Sequence, residues 1–297
     1  MSVTTSTTED VSLRVHQHVH GDIQAGIHND IQMPAGKKRR ARVSLDTMER
    51  VLSISPPMVL ALIVLVGWYL GTSYGHIPSL ILPAPGDVLT SLFQGLSSGM
   101  LLSAALVTTQ ESVLGFLFAL VVALPLGYGL AKSRLLAAAV HPYLAAGQAI
   151  PAIVIAPLLV IWLGYGLVPN VILCMLIVLF PMVITTILGV QTIDQALTDA
   201  ARVEGASGWS LLRYIEFPLA LPAVLAGIRT SLTLSVMGAV VGEFVSGGDQ
   251  GLGALVQLAK EQFDTPALFA TLVILAVLAA LYYGASWLLV KLAEGVY

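Results

Sequence analysis

Hydrophobic residues in this chain run in long blocks separated by short polar or charged punctuation. From Leu135 to Ile193 no Asp, Glu, Lys or Arg occurs, whereas Asp194, Asp199, Arg202, Glu204, Arg213 and Glu216 follow in quick succession. The surface of a soluble domain must face water and has no use for such an uncharged block. A bilayer core roughly 30 Å thick takes about 20 apolar residues per helical crossing. The pattern therefore predicts an all-α, polytopic membrane protein with about six crossings, at 57–75, 101–131, 135–163, 168–191, 218–243 and 266–290. Lys132-Ser133-Arg134 makes a tight turn, and Gly164-Tyr165-Gly166 with Pro169-Asn170 splits the uncharged block.

Composition agrees. The chain has 297 residues, 57% hydrophobic and 10% charged, against about 25% charged for a typical soluble domain. A net charge of −3 gives no sign of nucleic-acid binding. The one cysteine, Cys174, excludes an internal disulfide framework and reads as a small packing residue. Residues 1–50 differ in kind, being rich in Ser, Thr, His, Gln and Asp without a helical or strand period, and are expected to form a disordered cytoplasmic tail. Its basic end, Lys37 to Arg50, lies too far from residue 1 for a cleavable signal and leads into a retained first span. His16, His18, His20 and His28 are of a ligating type, but no carboxylate or cysteine completes a metal site. The remainder, 51–297, is expected to form one transmembrane domain.

Lys and Arg accumulate in cytoplasmic loops. Six crossings put all 14 basic residues on one side except Lys260, outside, and Arg229, within the fifth span. Both termini are then cytoplasmic.

The loop 192–218 carries the most specific signal. Leu197, Ala200, Ala201 and Glu204 fall at helical spacing as one short helix, which Gly205 and Ala206-Ser207-Gly208 stop or turn. A second amphipathic piece, Trp209 to Phe217, is expected to lie along the membrane surface and end at Pro218. Such a pair suits docking into a partner's groove; composition alone allows equally a simple interfacial loop.

Asp199-Ala200-Ala201, three residues, Gly205, nine residues, then Ile215-Glu216-Phe217-Pro218 resembles the cytoplasmic signature E-A-A-x3-G-x9-I-x-L-P of permease subunits of bacterial ATP-driven (ABC) importers. Asp replaces Glu and Phe replaces Leu, both in character. The resemblance spans roughly 78–290. Leu82-Pro83-Ala84-Pro85, Gln148-Ala149-Ile150-Pro151, Ala156-Pro157-Leu158-Leu159, Trp162 to Gly166, Gly242-Glu243-Phe244 and Gly251-Leu252-Gly253 are similar to the nitrate, sulfonate, taurine and pyrimidine–riboflavin branch.

That resemblance implies a cytoplasmic ATPase subunit gripping the loop, a second permease subunit (a copy or close paralogue), and an extracytoplasmic solute-binding protein. Ala200 and Ala201 would allow close approach and Gly205 the turn. Asp199 and Glu204 would reach polar partners, and Ile215 and Pro218 would fix the second helix. No cofactor is expected on the chain itself. It lacks the P-loop G-x4-G-K-[ST]; the nearest spacing, Gly21 to Gly26, is followed by Ile27. ATP would be bound and hydrolysed by the partner.

Ionisable groups within a membrane usually face a partner or a watery path. Glu111, Arg229 and Glu243 qualify, although packing or interfacial anchoring serves each as well. Arg229, about 16 Å along a helix from Pro218 at 1.5 Å per residue, is expected to snorkel back to the interface. Gln148, beside Ile150-Pro151, is the better polar candidate, since a proline in a span frees a carbonyl. Ser235 joins Gln148, Glu111 and Glu243 as a candidate pathway residue, though hydroxyls in spans often serve packing. Trp162 and Tyr165 read as an aromatic belt.

By the same resemblance the motifs around Gln148 and Glu243 are nearer the vitamin-precursor members, implying riboflavin or a thiamine-type pyrimidine as cargo. Few fixed cations also suit a neutral ring better than an oxyanion; sulfonate, taurine or nitrate is the alternative. A channel working without an ATPase is a reading from another class. An enzyme is disfavoured, because His141 stands alone beside Pro142 with no nucleophile, base or ligand cluster.

Overall fold

The computed structural model describes residues 58–75, 77–246 and 250–294. The tail expected over 1–50, its histidines and its basic run lie outside the described residues. Two compact units divide the chain, 1–68 and 69–297. The described part of the first is the beginning of α1 (Met58–Tyr74), an apolar helix shorter than a full crossing.

The second unit carries α2 (Pro85–Ser97), α3 (Met100–Lys132), α4 (Arg134–Ala149), α5 (Ala152–Leu163), α6 (Leu167–Gln191) and α7 (Gln195–Val203). Then come α8 (Gly208–Ser246), α9 (Leu252–Glu261) and α10 (Thr265–Glu294). Among the described residues there is no strand, so the all-α membrane class holds. Four helices, α3, α6, α8 and α10, are long and apolar enough to cross a bilayer, and α4 with α5 makes a fifth, bent by 94°. Of the six expected crossings, four thus correspond to single long helices and one to the bent pair, while the first falls on α1, which is shorter than a full crossing.

Three boundaries differ from the sequence expectation. A separate helix, α2, precedes the second span: Pro85 pre-sets its first turn, Val88 and Gly95 are its buried face, and Gly99 at φ +77° turns the chain into α3. It is too short to span, so a search for crossings passes over it. The span expected over 135–163 breaks at Ile150-Pro151, where both residues are extended and Pro151 supplies no N–H to continue the helix. The piece 209–217 is not a separate surface helix. It is the start of α8, joined to the membrane span through a π turn over Leu212–Glu216.

α6 forms the centre, packed between α3 and α8. In a bilayer the lipid is as apolar as the core, so close contact rather than water exclusion holds helices together, and small residues permit it. Cys174 shows how tight this is. A Cβ added at Gly115 of α3 would sit 2.5 Å from Cys174 Cβ, and one at Gly238 of α8 would sit 2.9 Å from Cys174 Cα. Leu173, Val178, Met182 and Val183 of α6 are fully buried around this seam. α10 joins through Tyr282, whose hydroxyl is 2.6 Å from that of Ser112 on α3.

Candidate functional site

Two places concentrate the expected functional residues: the loop between α6 and α8, and the bend between α4 and α5.

The loop is built by strong local signals. Asp194 caps α7, its carboxylate accepting the Ala196 N–H at 2.9 Å. α7 stops in a Schellman turn: Gly205 N–H donates to Arg202 O at 3.0 Å and Ala206 N–H to Ala201 O at 2.9 Å, with Gly205 at φ +95°. A capping box on Ser207 then starts α8, the Ser207 N–H donating to Ser210 Oγ at 3.0 Å. Only four residues, Glu204 to Ser207, separate the end of one helix from the start of the next, so the direction of α7 is fixed by its own backbone.

This defined helix buries none of its own residues. Val203 is 89% exposed and Leu197 51%. Asp199 and Arg202 pair on its surface at 3.0 Å. Ala200, Glu204 and Gly205 are exposed, and Ala201 is half-buried. Trp209 and Tyr214, at the start of α8, add exposed aromatic surface. An amphipathic helix that its own chain covers so little is suited to docking against another surface.

Ile215 and Pro218, both half-buried, lie within and just after the π turn of α8 instead of anchoring a separate surface helix. Between them Glu216 is fully buried. Tyr128 of α3 donates its hydroxyl to Glu216 Oε2 at 2.8 Å, and Lys132 forms an ion pair with Oε1. This cluster escaped the sequence reading because Glu216 occupies a variable motif position. The available signal was a carboxylate on the apolar side of an otherwise membrane-bound register.

The four pathway candidates fall in two environments. Glu111, Ser235 and Glu243 lie buried in the packing of α3, α6 and α8. Asn170 donates to Glu111 Oε1 at 2.9 Å, and Gly253 N–H to Glu243 Oε2 at 2.6 Å. Leu252 N–H donates to Thr108 Oγ1 at 2.9 Å, so the segment Gly251–Gly253 is tied to both α3 and α8. Ser235 contributes its carbonyl to the Cys174 thiol at 3.1 Å. Arg229, expected to snorkel to the interface, donates to the Tyr283 hydroxyl of α10 and lies 4.6 Å from that ring's centre.

Gln148 differs, for it lines a cavity of about 350 Å³ at the 94° bend. Gly147, Pro151, Phe180 and Met237 share that lining, which includes no charged residue. The Phe180 ring packs directly on the bare backbone of Gly147, where a Cβ would lie 2.4 Å from the ring. Among the described residues no group of three or more metal-ligating side chains occurs.

Residues 115–293 match the family described as binding-protein-dependent transport system inner membrane component. The riboflavin transport system permease protein RibX of Chloroflexus aurantiacus is 44% identical over 234 residues, 79% of this chain and 87% of that protein. The formylaminopyrimidine transport permease protein ThiX of Halalkalibacterium halodurans is 29% identical over 238 residues, 80% of this chain and 94% of that protein. Among solved structures, a chain of the inward-facing MetNI methionine ABC transporter superposes with a TM-score of 0.59 at 21% identity, covering 64% of this chain and 94% of that one. At that identity the likeness is one of fold.

Proposed function

This chain belongs to the family of inner membrane components of binding-protein-dependent transport systems, an ABC importer permease, and on that premise we propose that its cargo is an aromatic vitamin or vitamin precursor. Riboflavin is the favoured member, supported by the 44% identity to a riboflavin permease, with a thiamine-type pyrimidine next.

The working model has four parts. A separate ABC ATPase grips α7 from the cytoplasm, an extracytoplasmic binding protein delivers the solute, and a second permease completes the pathway. Both termini are cytoplasmic. One observation carries the coupling role: α7 is capped and turned by its own residues, yet leaves its side chains unburied. Ala200 and Ala201 let the partner approach closely, Asp199 and Glu204 offer it carboxylates, and Gly205 sets the angle of the turn. Ile215 and Pro218 brace the π turn that links α7 to the span of α8. Gln148 contacts solute at the bend, while Glu111, Ser235 and Glu243 hold the outer part of the pathway in shape.

Vesicles carrying the chain with its ATPase and binding protein are expected to accumulate riboflavin only with ATP. Uptake by the chain alone would make it a facilitator, and uptake of taurine but not riboflavin would move the cargo to the sulfonates. Gly205→Leu is expected to abolish capture of the ATPase while leaving membrane insertion intact; undiminished capture refutes the docking role.

A further inference from the structure

The bend between α4 and α5 combines features that a packing defect would lack. An α-helix leaves its last four carbonyls and its first four N–H groups without internal partners. Here the end of α4, at Ala149, and the start of α5, at Ala152, meet beside one cavity, with Ile150 and Pro151 extended between them. The usual donor to the Gly147 carbonyl would be the N–H of residue 151, and proline has none. The Gln148 carboxamide is exposed and has no hydrogen-bond partner among the described residues. Irregular backbone at membrane depth persists where a cavity or protein satisfies it. The rest of the lining is apolar: the Phe180 ring, Met237, Ile155 and Leu173 among others.

The chemistry of this lining selects its occupant. A carboxamide presents one donor edge and one acceptor edge, the complement of a lactam or aminopyrimidine edge. An aromatic face and a polarisable thioether suit a flat ring. A bound anion would need a cation or a helix N-terminus. No charged residue lines the cavity, and the amide end of α5 is opposed at the same bend by the carbonyl end of α4. The two half-helix ends together make a dipolar site that favours a neutral group with both donor and acceptor. At about 350 Å³ the cavity is near the lower end of small-molecule sites, about 300–1,000 Å³.

We propose that the cavity at the α4–α5 bend is a transit site for a planar, uncharged heteroaromatic ring, with Gln148 reading its hydrogen-bonding edge and Phe180 and Met237 holding its face. The proposal rests on the importer reading above and deepens it: the permease itself, and not only the delivering protein, discriminates among solutes.

The test uses the complete transporter in proteoliposomes. Cys174 is the one native cysteine and is buried, so Gln148→Cys places a single reactive thiol at the site. Riboflavin is expected to slow maleimide labelling of that thiol severalfold, while taurine at equal concentration has no effect. Labelling unaffected by riboflavin overturns the site. So does a disulfide formed between the Gln148→Cys residues of two copies in place of labelling, because the cavity would then be a permease–permease interface.

A second variant separates this from the importer reading. Gln148→Leu is expected to raise KM for riboflavin uptake about tenfold, the scale of one lost hydrogen bond. Equal KM in the variant and the unaltered protein overturns the site alone and leaves the riboflavin importer standing. Absence of ATP-driven riboflavin uptake in the unaltered protein defeats the cargo assignment, and the labelling arm still decides whether the cavity takes the ring.

Discussion

Glu216 and Lys132 join the two helices that flank the C-terminal end of α6: the first turns of α8 and the last turn of α3. Glu216 is completely buried, the Lys132 side chain is 36% exposed, and Tyr128 supplies a second hydrogen bond to the same carboxylate. The pair sits at the π turn that connects the exposed loop to the membrane span. Such turns recur at functional positions in helices. The ion pair thus ties the π turn directly to α3.

Removing the two partners should not be equivalent. Lys132→Met leaves a carboxylate buried with only a tyrosine hydroxyl, whereas Glu216→Gln leaves an ammonium that water can reach. Loss of a hydrogen bond to a charged group costs about 1.5–3 kcal/mol, and partial exposure of Lys132 places the effect toward the lower end. Thermal unfolding of the purified protein in detergent is expected to rank Lys132→Met as the more destabilised variant. The reverse order would show that the charge of Glu216 is not held by Lys132.

Packing at Cys174 sets the second expectation. Gly115→Ala places a methyl group 2.5 Å from Cys174 Cβ, with the Val171 carbonyl 3.0 Å away on the same side. Backbone must shift, and such overpacking costs about 1–3 kcal/mol. A lowered midpoint in the same unfolding assay checks it. Gly129→Ala, on the same helix with no atom within 4 Å of the added Cβ, serves as the control and should be silent.

Cys174 itself gives a direct readout of folding. Its side chain is wholly buried and its thiol donates to the Ser235 carbonyl at 3.1 Å. A maleimide is expected to leave the folded protein unmodified and to add one label per chain after denaturation. Rapid labelling of the folded protein would contradict the packing of α6 between α3 and α8.

Orientation can be read from Val203, 89% exposed at the end of α7. Val203→Cys is expected to react with a membrane-impermeant maleimide in inside-out vesicles and not in intact cells. Reaction in intact cells would put α7 on the outer face, beyond the reach of any cytoplasmic ATPase.

How much of this was legible beforehand follows the range of the interactions involved. Local chemistry was visible. The short helix around Ala200 and Ala201, its stop at Gly205 and the turns at Ser133 and Gly164 depend on residues within a few positions of one another. So do the apolar lengths that make α3, α6, α8 and α10 spans. The continuity of Trp209–Phe217 with α8 was missed, because proline at position 218 falls near the start of a long helix, where it is tolerated, and reads in sequence like a stop.

What the linear chain determined by itself is therefore the membrane class, the spans and the signature loop, since bilayer thickness, capping and turn chemistry act over one or two helical turns. Tertiary structure alone decided that Pro151 is a 94° bend facing a cavity, that Glu216 meets Lys132 across 84 positions, and that Glu111 and Glu243 lie inside the packing while Gln148 lies open. Those outcomes depend on which helix faces approach each other. A pattern of apolar residues all round a span carries no mark of which face meets protein and which meets lipid.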